Sequence, residues 1–199
     1  MITLIDKNNK LNEQRNSINI TYPRSINIIF GHYPYPEKIH NFILQIKNNL
    51  SKEMYSYTNV QGGMTDWKYF LDKPEFIDFI SYVINKHQIT HSNLFEHFFE
   101  KNLIINAWGN EIKPKDSVTY HTHPCHHGIL YLTKGCDLNL PDLNLKITPE
   151  PGDYYMFPPE ILHGFDKYIG ENNRYSLIFN IEQGNKFKYD KKIKDKNGK

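Results

Sequence analysis

The stretch TYHTHPCHHGILY, residues 119–131, gathers four of the chain's ten histidines, His121, His123, His126 and His127, into seven residues. A neutral imidazole offers a lone pair to a divalent metal. In a strand alternate side chains share a face, so His121 and His123 stand about 7 Å apart on one side and can converge on a single ion. Pro124 ends that strand. A second cluster of signals follows in PGDYYMFPPEILHGF. Pro151-Gly152 forms a turn that starts a strand, Pro158-Pro159 stops it, and His163 stands at the edge of the next. Eleven residues further on, Arg174 opens RYSLIFNI, where Arg174, Ser176, Ile178 and Asn180 share one face while Leu177, Phe179 and Ile181 share the other. A guanidinium on a strand among core residues is costly unless it meets an anion, from a protein carboxylate or from a bound carboxylate ligand.

These residues need a scaffold, and the chain divides into two kinds of element. After Asn102 come short alternating or apolar runs, LIINAW, SVTYHTH, GILYLT, DLNLPDLNLKITP, DYYMF and RYSLIFNI, separated by Gly, Pro, Asn and Asp with no helical period between them. Such a series predicts a sandwich or barrel of strands. Before Asn102 the chain reads as largely helical. SINIIF is a strand, a helix opens near Pro36 with Ile39, Phe42, Ile43 and Ile46 on one stripe, and another opens at Pro74 with Phe76, Phe79, Ile80, Val83 and Ile84 on its stripe. Ser92 reads as an N-cap for a third helix, NLFEHFFEKN. His40, His87, His91 and His97 lie singly on or beside these helices and are assigned to surface or capping roles. NVQGGMTDW reads as a turn, with Thr65 or Asp66 capping a short helix from Trp67; the sharper reading makes it a lid that brings Gln61 or Trp67 to a substrate.

The ordered pattern, HxH, a distal His, then Arg-x-Ser on the closing strand, resembles the 2-oxoglutarate/Fe(II)-dependent oxygenases over residues 103–182. The resemblance implies an α+β chain: a double-stranded β-helix (a jelly-roll, cupin-like barrel) in the C-terminal half, buttressed by N-terminal helices. It implies Fe(II) as metal and 2-oxoglutarate as cosubstrate, with hydroxylation of a small-molecule or peptide substrate and release of succinate and CO2. Carried across by position, His121 and His163 are the histidine ligands, Arg174 anchors the far carboxylate of 2-oxoglutarate with Ser176 beside it, Tyr131 helps hold that carboxylate, and Asn106 or Trp108 completes the pocket. One position departs: His123 stands where the family has Asp or Glu, giving three neutral ligands, His121, His123 and His163. Whether Asp116, Asp153 or Glu160 supplies a carboxylate instead is left open by spacing. HTH followed by GDYYMFPPEILH, with Gly152, Pro158 and His163 at spacings of six and five, also resembles the two motifs of the cupins, so a three-histidine metal-dependent cupin, thiol dioxygenase-like or isomerase, is the alternative, and a non-catalytic jelly-roll binding module is the third reading. His126 and His127 are assigned to a turn or a strand's first residue, where ordinary solvation is expected ahead of the alternative, a contact that supports the metal ligands or meets the substrate, and they are not counted as ligands.

Composition bounds the rest. The chain has 199 residues, 39% hydrophobic and 14% aromatic, enough to fill a core. Residues 1–184 form one expected domain, with helical support over 1–102 and the β-helix over 103–184. Seven lysines and two acids give residues 185–199 a charge of +5, so within a total of +2 the remainder carries −3. That tail is expected to be flexible and solvated, and with no base-stacking motifs nucleic acid is not an expected partner. No apolar run is long enough to span a bilayer and the start, MITLIDKNNK, lacks signal-peptide character, so a cytoplasmic location with Cys125 and Cys136 as thiols is expected. The oligomeric state is open, a dimer being one admissible form.

Overall fold

The computed structural model describes residues 2–4, 26–51, 59–87, 104–135 and 137–181. The strands are β1 (Ile2–Leu4), β2 (Ile26–His32), β3 (Gly63–Met64), β4 (Ile104–Ile112), β5 (Val118–His121), β6 (His126–Tyr131), β7 (Leu138–Leu140), β8 (Leu145–Ile147), β9 (Asp153–Phe157), β10 (His163–Phe165) and β11 (Arg174–Ile181). Two helices, α1 (Pro36–Asn48) and α2 (Pro74–His87), stand among them. The anticipated helix after Ser92, together with His91, His97, Cys136 and the tail, lies outside the described residues.

Both helices begin where proline loses nothing, because the first backbone N–H groups of a helix have no partner inside it. Glu37 and Glu75 in the first turns, and Lys47 and Lys86 in the last, complement the helix dipoles. Ile39, Phe42 and Ile46 of α1 and Phe76, Phe79, Ile80 and Val83 of α2 are buried, as their spacing requires. Ile43 and Ile84 flank these stripes half-buried.

The strands form two antiparallel sheets. The larger runs β1-β2-β9-β6-β11-β4-β3 and the smaller β5-β10-β7-β8. Residues of both, among them Ile28, Trp108, Ile129, Ile178 and Phe157 from the larger and Leu138 and Leu140 from the smaller, pack into one cluster between them. This is a double-stranded β-helix, with α1 and α2 covering the outer face of the larger sheet. The turn before β9 is a tight one: Asp153 N–H donates to Glu150 O at 3.0 Å, and Gly152 has φ +95°. That is a type II turn, with Pro151 and Gly152 at its two centre positions.

The expected strand SINIIF is β2 in the larger sheet. Two details around the Gly62-Gly63 turn differ from the sequence reading. β3 is just two residues, placed by pairing of Gly63 with Glu111 and Met64 with Asn110. Residues 67–72 form turns instead of a short helix. Asp66 does cap locally, its Oδ1 accepting the Lys68 N–H at 2.9 Å, but Thr65 is buried and its Oγ1 accepts the Gly109 N–H at 3.0 Å, tying this segment to β4.

Candidate metal centre and carboxylate pocket

β5 and β10 pair with His121 opposite His163, which sets the two imidazoles side by side with ring centroids 4.6 Å apart. His123 lies two residues past the end of β5, so its approach to the others is not strand alternation. Its backbone N–H donates to Pro159 O at 3.2 Å, pinning the segment to the β9–β10 connection. Its ring then sits 4.8 Å from His121 and 5.1 Å from His163. One nitrogen from each of the three rings falls within 4.8 Å of the others, close enough to hold one metal ion.

The tautomers suit that role. Nδ1 of His121 lies 2.7 Å from Thr119 O, and Nδ1 of His163 lies 3.0 Å from Ile161 O. A carbonyl can only accept, so each Nδ1 carries the proton and each Nε2 keeps its lone pair. Nε2 of His123 is buried without a partner. Burial, and next the neighbouring imidazoles, holds His123 down to about 3, and burial holds His163 down to about 4. Burial lowers His121 as well. All three are therefore neutral donors at neutral pH. The cluster contains no carboxylate; among the described residues, Asp116 caps the Lys113 N–H and Asp153 caps the Glu150 N–H.

The wall behind this cluster is the inner face of the larger sheet, ordered in rows by strand register. Ile112 and Arg174 form the first row, Asn110, Ser176 and Tyr131 the second, Trp108, Ile178 and Ile129 the third, and Asn106, Asn180 and His127 the fourth. The cavity is lined by members of each row, together with the three histidines, Val60, Val118, Leu138 and Phe165. Arg174 is 2% exposed, its guanidinium stacked 4.8 Å from the Tyr131 ring and 5.0 Å from that of Phe165. No carboxylate lies within ion-pair distance of it among the described residues, and its Nε has no hydrogen-bond partner. Of five buried side-chain polar atoms without partners among the described residues, four belong to cavity-lining residues: Trp108 Nε1, Asn110 Oδ1, His123 Nε2 and Arg174 Nε. Buried polar groups are normally satisfied, so such a concentration makes the cavity a candidate ligand site.

Other sequence candidates lie elsewhere. Asn106 is half-buried on β4 outside the cavity lining, and Trp67, also outside that lining, packs edge-to-face with Trp108, centroids 4.5 Å apart. Gln61 is exposed, its Oε1 accepting the Ser117 hydroxyl at 3.0 Å. His40 is exposed on α1, and His87 meets the Tyr154 hydroxyl at 2.7 Å. His126 and His127 are not solvated turn residues. Both are buried in β6, and His127 lines the cavity. Asn110 was also not anticipated. In both cases strand alternation was the available signal, because His127 and Tyr131 are four apart on β6 and Asn110 is two from Trp108 on β4.

Two antiparallel sheets enclosing a cavity lined by clustered imidazoles define a double-stranded β-helix protein with a candidate metal centre. Comparison with solved structures agrees on the fold. A viral collagen prolyl hydroxylase from Paramecium Bursaria Chlorella virus-1, in complex with 2-oxoglutarate, superimposes with TM-score 0.54 at 14% identity, over 80% of this chain and 96% of that one. HygX from Streptomyces hygroscopicus, with nickel and 2-oxoglutarate bound, gives 0.55 at 10% identity over 80% and 84%. A Pseudomonas putida prolyl-4-hydroxylase gives 0.53 at 12% identity over 80% and 94%. The fold is thus the one shared by the oxygenases that the sequence resembles. Neither the protein-family models nor the curated protein sequences contain a match. No helix of the described residues is long and apolar enough to cross a membrane.

Proposed function

We propose that this protein is a 2-oxoglutarate- and Fe(II)-dependent oxygenase that hydroxylates a small-molecule or peptide substrate. The observation that carries the reading is Arg174: a buried guanidinium without a protein anion, inside the same cavity as a three-histidine cluster. A dicarboxylate with a keto acid at one end suits both features, its plain carboxylate at Arg174 and its keto acid end toward the imidazoles. The unpartnered Nε2 of His123 and the Nδ1-protonated tautomers of His121 and His163 fit a divalent cation. When bound, Fe(II) supplies the redox chemistry by which O2 and 2-oxoglutarate become succinate, CO2 and one hydroxyl group on the substrate.

The chain's own residues hold and orient. His121, His123 and His163 are the ligands. Arg174 pairs with the distal carboxylate through its planar fork, with the Tyr131 ring fixing the guanidinium plane and Ser176 in the neighbouring row. Ile129, Ile178, Leu138 and Trp108 supply apolar walls that keep water from the reacting end. Three neutral ligands leave the metal's charge less compensated than a carboxylate would, and the dianionic cosubstrate offsets part of it.

Anaerobic titration of the Fe(II)-loaded protein with 2-oxoglutarate, followed by succinate release under O2, tests the reading. Saturable binding with turnover is the expected result. Metal uptake without any 2-oxoglutarate binding would transfer the assignment to a three-histidine cupin, the second reading that the all-histidine donor set supports.

A further inference from the structure

An imidazole ligand has a demand that a carboxylate lacks. Its single lone pair lies in the ring plane, so rotation about the Cβ–Cγ bond swings the donor atom away from the metal. His121 and His163 meet that demand through their Nδ1–H bonds to Thr119 O and Ile161 O. His123 makes no such bond among the described residues, and it sits on a connection outside any strand. What it has is a face. The His127 ring stacks on it with centroids 3.8 Å apart and planes 13° from parallel, the closest ring contact in the site. His127 in turn is fixed on β6, its Nδ1 2.9 Å from Asn180 Oδ1 across the β6–β11 pair, with Phe157 at 5.5 Å on another side.

We infer that His127, held by Asn180, is a positioning residue that sets the ring plane of His123. Asn180 Oδ1 accepts a hydrogen bond from His127 Nδ1–H and stops that ring from turning. The flat face of His127 then confines His123 to one ring plane, from which a ring nitrogen reaches the cluster with His121 and His163. The stack does for the third imidazole what a backbone carbonyl does for the other two. Strand alternation fits this division: His127 and Asn180 come from the rigid larger sheet, whereas His123 comes from a connection that needs external support.

The inference rests on the three histidines being ligands, and the test separates the two ideas. Co(II) binding is measured, without cosubstrate, by the visible spectrum of the bound ion, in wild type, His127→Leu and His127→Phe. Leu keeps the volume but has no flat face; Phe restores the face without the bond to Asn180. We expect His127→Leu to weaken Co(II) roughly 10–100-fold, the range for residues that orient ligands, and His127→Phe to recover most of the loss with an unchanged spectrum. In the metal-free proteins, the His123 ring protons, assigned by their loss in His123→Asn, should be shifted upfield by the stack in wild type and His127→Phe but not in His127→Leu. Equal affinity in wild type and His127→Leu overturns the positioning role while leaving the metal site standing. A phenylalanine variant as weak as the leucine one, with an altered spectrum, also overturns it and makes His127 a ligand itself. Absence of Co(II) binding by the wild type overturns the metal site and the inference together.

Discussion

The two faces of β11 show how one strand serves two environments. Tyr175, Leu177, Phe179 and Ile181 look outward to α1 and α2, into an apolar cluster with Phe42, Phe76 and Phe79. Arg174, Ser176 and Ile178 look inward to the cavity. The outer face is filled to contact. A Cβ on Gly128 would collide with the Phe179 ring, and one on Gly109 with Ile46 of α1. The inner face instead carries polar atoms that lack partners. Close packing is concentrated on the outer side, and the unpartnered polar atoms of the inner side are carried at some cost to stability.

That contrast can be broken from either side. Replacing both His121 and His163 with Ala should abolish Fe(II) uptake, read by metal analysis, while the thermal midpoint of the metal-free protein changes little. Full retention of metal would remove the site. On the outer face, Phe179→Ala should cost about 3–5 kcal/mol in denaturant unfolding, as for a fully buried aromatic ring, with metal affinity of the folded fraction unchanged. A large loss of metal affinity there would show that the faces are coupled. Arg174→Ala should weaken 2-oxoglutarate by roughly two orders of magnitude in calorimetry and spare metal uptake, since charge-assisted pairs to a carboxylate are worth a few kcal/mol. Arg174→Lys should recover only part, because a point charge lacks the fork. For the third ligand, His123→Asp should keep metal binding and some turnover, whereas His123→Ala should lose most of both; wild-type turnover in the alanine variant would send the search to a nearby acid. The smallest effect is expected from Gly128→Ala, about 1–3 kcal/mol of overpacking strain against Phe179, read as a lower unfolding midpoint with unchanged 2-oxoglutarate affinity.

Much of this was legible because period two is rigid. Arg174 and Ser176 fall on one face of β11 by counting, and the apolar stripes of α1 and α2 fall on one side by the helical period. His127 was missed through a boundary. Pro124 and paired histidines before a glycine read as a turn, yet β6 begins at His126, where its pairing with Ile181 starts. Counting back by twos from Tyr131 through Ile129 reaches His127. The position of His123 was anticipated for a reason that does not hold, since β5 stops at His121 and a backbone bond to Pro159 brings it in. β3 left no local trace at all, because two residues become a strand only through the partner that β4 provides.

The buried guanidinium of Arg174 also bears on how stable the folded chain is. A buried cation without a protein anion burdens the folded state, and a ligand that relieves it stabilises that state by mass action, by about 2.7 kcal/mol at a hundredfold excess over its dissociation constant. Under the proposed function, the survival of the protein against proteolysis would rise and fall with the supply of its own cosubstrate.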